Sequence, residues 1–186
     1  MSLEYSNDRV LERENEAPNF DLDGVDEKEH SLEEFRGKKA VLIIFMCNHC
    51  PYVVPKMDYI VELQSKYGKQ GLQIVAINSN DSVKYPEDSF EKMKEYAEKY
   101  SFNFPYLIDK TQEIAKAYGA MCTPDPYLFD SELKLKYHGR FDDAHAESHG
   151  EGKTSEIEDA IKKLLAGEEI TAEFNPSCGC SIKWKD

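Results

Sequence analysis

Phe45-Met-Cys-Asn-His-Cys-Pro-Tyr-Val-Val-Pro55 decides how the chain is read. Upstream lies the apolar run Ala40-Val-Leu-Ile-Ile-Phe-Met46, which fits a strand buried on both faces of a parallel sheet. Downstream, Val53, Met57, Ile60 and Val61 recur at helical spacing. A strand feeding a helix through Cys-x-x-Cys is the arrangement a dithiol/disulfide site needs. With Cys47 as the helix cap, its sulfur lies beside backbone N–H groups that lack a carbonyl partner. Those groups and the helix dipole favour a thiolate. Cys50 then falls at the third helical position. This predicts Cys47 as the exposed, low-pKa nucleophile and Cys50 as the resolving thiol. His49 adds a potential positive charge that favours the reduced form and makes the pair a stronger oxidant; the alternative is a solvated histidine. Pro55, inside the helical pattern, is expected to kink the helix.

Working outward, the 186-residue chain is long enough for one domain over residues 1–186, with a charged arm at 1–16 and a tail at 168–186. The formal net charge of -13 disfavours nucleic acid and anionic membrane surfaces as partners. No stretch reaches the ~18 apolar residues of a membrane span. The first ten residues lack a signal-peptide core, so a cytoplasmic location is expected. In that compartment five cysteines point to redox or metal chemistry rather than structural disulfides.

The remaining pattern alternates strands and helices. Phe20 and Leu22 suit a short edge strand, and residues 24–30 a polar turn. Residues 31–35 suit one helical turn ended by Gly37. Residues 72–77 read as a second buried strand, with the loop 78–82 at its carboxyl end. Pro86 opens a helix whose stripe is Phe90, Met93, Ala97 and Tyr100. A short strand follows at 104–109, then a short helix at 111–118 stopped by Gly119. Residues 126–130 and 133–137 read as a hairpin. Ser155 with Glu158 forms a capping box for a helix running to Gly167. These elements make a central mixed sheet with helices on both faces.

Cys-x-x-Cys followed by Pro55, after a strand ending in Phe45, resembles the thioredoxin-like superfamily. Ala17-Pro-Asn-Phe-Asp-Leu22 and Ser31-Leu…Phe35-Arg-Gly-Lys38 resemble its alkyl hydroperoxide reductase/thiol-specific antioxidant (peroxiredoxin-like) branch. Thr123-Pro124, then Tyr127-Leu-Phe-Asp130, resembles that fold's cis-proline loop. The likeness covers roughly residues 15–166. It implies an α/β thioredoxin-like fold with an inserted strand–helix piece. It also implies a cis bond before Pro124 that aims the Thr123 backbone at Cys47, where an extended substrate peptide could pair. Two departures weaken a fast peroxidase: Ile44 stands where peroxiredoxins carry Thr, and no Arg lies near Pro124, Arg140 being the nearest by sequence. Val53 stands where cytochrome-maturation thioredoxins carry Glu. Proton transfer falls to His49, Asp125 or water.

The reading is a thiol–disulfide oxidoreductase without metal or organic cofactor, exchanging Cys47–Cys50 with a protein or small-molecule substrate. Its electrons come from a thioredoxin- or glutaredoxin-type protein or a low-molecular-weight thiol. One alternative is a peroxiredoxin-like peroxidase with antioxidant activity. Another is a non-catalytic zinc module through Cys47, Cys50, Cys178 and Cys180. Asp125 either contacts substrate or is a solvated loop acid. His138, His145 and His149 read as solvated loop residues. Cys122 is either a third redox thiol or a small buried filler. Cys178-Gly-Cys180 is open to three readings: a second redox pair, half a zinc site, or inert packing.

Overall fold

Leu42 and Ile43 point to opposite sides of one strand, and that alternation divides the molecule into two cores. The computed structural model describes residues 2–7, 10–150, 153–171 and 174–186. Its elements are β1 (Leu3–Tyr5), β2 (Asp21–Gly24), β3 (Glu29–Ser31), β4 (Ala40–Phe45), α1 (Met57–Tyr67), β5 (Leu72–Asn78) and α2 (Phe90–Lys99). There follow β6 (Tyr106–Ile108), α3 (Glu113–Tyr118), β7 (Cys122–Thr123), β8 (Asp125–Phe129), β9 (Leu135–His138), α4 (Glu156–Ala166) and β10 (Cys178–Ser181).

Seven strands form a mixed sheet in the order β3-β2-β6-β5-β4-β8-β9. β4, β5 and β6 run parallel, and β8 pairs antiparallel with β4. Ala40, Leu42 and Ile44 pack on one face with Met57, Ile60 and Leu63 of α1 and Ile157 and Ile161 of α4. Val41, Ile43 and Phe45 pack on the other with Leu32, Phe35, and Ala115 and Tyr118 of α3. Both faces of β4 are covered, which is why its sequence is apolar without a break. This is the thioredoxin-like architecture expected from the chain.

The local signals for α3 and α4 hold. Gly119 and Gly167 end them at φ +73° each. The Ser155 hydroxyl accepts from Glu158 N at 3.2 Å.

Three expectations need correction. The strand around Leu22 is interior, flanked by β3 and β6; the polar 24–30 stretch supplies the real edge, Glu29–Ser31. Cys47 does not cap a helix, because α1 begins only at Met57, after a 3-10 turn over Val54–Lys56. Pro51 follows Cys50 directly and disfavours helical backbone there, and Pro55 lacks the N–H a longer helix would need. Pro55 therefore precedes α1 instead of kinking it.

The described parts of the arm and tail contribute strands as well. β1 and β10 pair antiparallel, and β10 pairs antiparallel with β7. Together they form a second, three-stranded sheet over the carboxyl ends of β4 and β5. Among the described residues no helix is long and apolar enough to cross a membrane.

Candidate active site

Cys47 and Cys50 lie in the irregular turn that leaves β4. Their side chains hydrogen-bond each other. Cys47 Sγ is 3.6 Å from Thr123 Oγ1, and Cys50 Sγ is 3.2 Å from the Thr123 carbonyl oxygen. The Thr123–Pro124 peptide is cis. Thr123 sits opposite the turn because β8 is hydrogen-bonded to β4, with Asp125 across from Phe45. Sequence reasoning thus named Cys47, Cys50, Thr123 and Pro124, and the fold brings them together.

The exposed nucleophile does not appear. Cys47 is 1% exposed and Cys50 is 0%. Cys47 is pushed well above the usual thiol range by its hydrogen bond to Cys50, by burial and by the charge of Asp88. Cys50 is drawn down to about 5, first by Cys47 and then, against burial, by Thr123 and by the thiol and backbone N–H of Cys180. The two thiols are thus pushed in opposite directions, while Cys50 Sγ also faces the Thr123 carbonyl oxygen.

Asp88 was not singled out in the sequence. It follows Pro86 and is separated from the cysteines by a whole strand, so no local pattern flags it. Its buried carboxylate accepts from Asn48 N at 2.8 Å and from Asn80 Nδ2 at 2.7 Å. His49 Nδ1 lies 2.9 Å from Asp88 Oδ2, as an ion pair rather than an aligned hydrogen bond. Burial favours the neutral acid, but His49, Asn80 and Asn48 together hold Asp88 below the usual carboxylate range. Asp88 in turn raises the His49 pKa, against burial. The positive charge expected to stabilise the Cys47 thiolate is consequently neutralised by a buried partner. Cys47, His49 and Asp88 lie within 4.8 Å of one another, the one group of three or more potential ligand atoms so clustered among the described residues. The four-cysteine zinc set does not assemble.

Tyr106, also missed, donates to Asn48 Oδ1 at 2.9 Å and fixes the first residue between the cysteines. Asp125 is not a solvated loop acid. It is fully buried, accepts from Ser6 Oγ at 2.8 Å and lies 2.9 Å from His138 Nε2, behind the proline loop. The His138 side chain is largely covered, though the residue as a whole is half-buried. His149 stacks on Tyr59 and pairs with Asp142, so neither histidine is simply solvated. Cys122 is buried and its thiol is raised well above the usual range by burial, as suits a filler.

With this geometry the relatives can be placed. The AhpC/TSA family model matches residues 14–138, from the approach to β2 to the end of β9. The chain belongs to the AhpC/TSA family. It is 30% identical over 162 residues to a thiol-disulfide oxidoreductase ResA of Halalkalibacterium halodurans, covering 85% of this chain and 84% of that protein. A crystal structure of an uncharacterised conserved protein from Geobacillus kaustophilus superposes with a TM-score of 0.92 at 45% identity, covering 100% of this chain and 97% of that one. A hypothetical protein from Sinorhizobium meliloti gives a TM-score of 0.87 at 39% identity, covering 94% of this chain and 96% of that one. Within this AhpC/TSA chain, Arg140 is engaged by Glu156 and lies beside Cys178, with Pro124 lining the same small cleft.

Proposed function

We propose that this AhpC/TSA chain is a thiol–disulfide oxidoreductase whose working group is the Cys47–Cys50 pair. The observation that carries the reading is the placement of both sulfurs against Thr123 at the cis-proline loop, Cys47 Sγ 3.6 Å from its hydroxyl and Cys50 Sγ 3.2 Å from its carbonyl oxygen. One thiolate attacks a sulfur of a substrate disulfide, and one substrate thiolate leaves. The second cysteine then attacks the mixed disulfide, releases the other substrate thiol and closes a Cys47–Cys50 disulfide. Electrons return from a thioredoxin- or glutaredoxin-type protein or a low-molecular-weight thiol.

The His49–Asp88 pair beside Cys47 is the group placed to take or return its proton. This replaces Asp125, which is committed to Ser6 and His138. Peroxide reduction is the less supported reading, since Ile44 and the Glu156-bound Arg140 leave a peroxide's leaving oxygen without its usual donors.

The test is reduction of insulin disulfides by dithiothreitol, with and without the protein. Wild type should accelerate it, and Cys47→Ser and Cys50→Ser should each lose roughly a hundredfold or more. Acceleration that survives both substitutions rules the pair out.

A further inference from the structure

The backbone edge of Thr123, where an extended peptide could pair, is occupied by the chain's own tail. In the β10–β7 pair Cys180 lies opposite Thr123 and Ser181 opposite Cys122. Gly179 makes this approach feasible: a Cβ there would stand 1.9 Å from the Thr123 carbonyl oxygen. The strand is fastened beyond the pairing as well. Ile182 N donates to Met121 O at 3.0 Å, Lys183 N to Asn80 Oδ1 at 2.9 Å, and Asp81 N to Lys183 O at 2.8 Å. On its other side Leu3 of β1 lies opposite Cys180.

This register brings a third sulfur to the pair. The Cys180 thiol and its backbone N–H both hydrogen-bond Cys50 Sγ. Cys178, two residues earlier, shares that face of the strand. It is the one cysteine that is not buried, and it lines a small cleft with Tyr52, Pro124 and His145. The sulfurs thus run from Cys47 through Cys50 and Cys180 to Cys178, from the interior to the surface.

We propose that Cys180 is a third redox cysteine, which exchanges with Cys50 through a Cys50–Cys180 disulfide that Cys178 resolves, so that the tail relays disulfides between the buried pair and solvent. The relay rests on the Cys47–Cys50 exchange reading. Starting from the oxidised pair, the Cys180 thiolate attacks Cys50, the Cys47–Cys50 bond breaks, and Cys47 leaves and takes up the proton Cys180 gave up. The Cys178 thiolate then attacks Cys180, and Cys50 leaves as a thiolate. One electron pair has moved from the tail to the buried pair, and no further oxidant is needed. The reverse sequence, beginning with Cys50 attacking an oxidised tail at Cys180, carries a disulfide inward.

Burial, then the hydrogen bond and charge of Cys50, push the Cys180 thiol up to about 12. With Cys50 in a disulfide, the Cys50 contribution to that rise is gone. Closing Cys178–Cys180 also bends the strand. Extended residues two apart are about 6.6 Å between Cα atoms, at the upper end of the spacing a disulfide spans, so resolution loosens β10 from Thr123.

The trap is Cys47→Ser with Cys178→Ser, which removes both thiols able to resolve the mixed disulfide. The reduced variant is treated with one equivalent of diamide, quenched in acid and mapped by mass spectrometry. The expected product is a Cys50–Cys180 bridge in most molecules. Cys47→Ala with Cys178→Ala repeats the trap without adding hydroxyls, and circular dichroism reports whether each variant is folded. Wild-type protein, treated alike, reports the Cys47–Cys50 bridge. That bridge in wild type, with Cys50 left unbridged to Cys180 in a folded trap variant, overturns the relay and leaves the exchange reading standing. A wild type in which neither Cys47–Cys50 nor Cys178–Cys180 becomes bridged overturns the exchange reading and the relay with it.

Discussion

Asp88 places a buried carboxylate against His49, and the same charge bears on Cys47. The residue between the two cysteines is therefore half of an ion pair, not a lone cation beside a thiolate. Asp88→Asn should lower the Cys47 thiol toward its ordinary range and lower the His49 pKa. It should also destabilise the fold by about 2 kcal/mol, because three buried or half-buried donors lose a charged acceptor. Thiolate ultraviolet absorbance against pH, with chemical denaturation at neutral pH, reads both effects. An unchanged Cys47 titration would show that Asp88 does not govern it.

The same pair sets a pH dependence. The folded His49 pKa is raised, so its contribution to stability is complete below the unfolded value of about 6.5 and is lost as pH rises through the folded value. The Asp88 pKa is lowered, so its contribution is present above about 3.9 and is lost as pH falls through the folded value. Wild type should therefore be more stable than His49→Gln between those limits, with the difference shrinking toward alkaline pH. Urea midpoints of both proteins across a pH series check this. A difference that grows above neutrality has the wrong sign.

Gly179→Ala puts a methyl group into the Thr123 carbonyl, which is main chain and cannot swing aside. The tail strand should detach, and Cys180 should react with iodoacetamide at least about tenfold faster, in line with a loss of at least about 1.4 kcal/mol of closing free energy. Peptide-resolved alkylation of the reduced protein is the measurement. Equal rates in the variant and wild type would mean that the tail is not held at the proline loop.

Lys56 is 1% exposed and lies 2.7 Å from the equally buried Asp142. Lys56→Met leaves Asp142 with His149 as its remaining cationic partner and should cost about 3 kcal/mol. Adding Asp142→Leu should recover much of that loss, because the stranded charge is gone. Thermal or urea denaturation of the two variants decides. A single variant as stable as wild type would contradict the burial argument.

What the sequence revealed and what it hid follow from the range of the forces involved. β4 was legible because burial on both faces leaves no polar position, and α4 because Ser155 and Gly167 mark its ends. The proline loop was legible through family likeness. The start of α1 lies later than its apolar spacing suggests, because Val53 and Met57 keep helical spacing while Pro51 and Pro55 act on the backbone directly. The place of β10 could not be read, since four residues, Cys-Gly-Cys-Ser, carry no strand pattern and are held by pairing with both the amino terminus and Thr123. Asp88 and Asp125 were hidden for a similar reason: their partners come from other elements, and an isolated acid in a sequence looks solvated.

On the exchange reading, Cys47 and Cys50 form a reversible dithiol/disulfide. Equilibrating the protein across a glutathione redox series and mapping cysteine pairing by mass spectrometry at each potential tests it most directly. A two-electron transition in which Cys47 and Cys50 become joined is expected. Both remaining thiols at every potential, or pairing only with glutathione and never with each other, would contradict it.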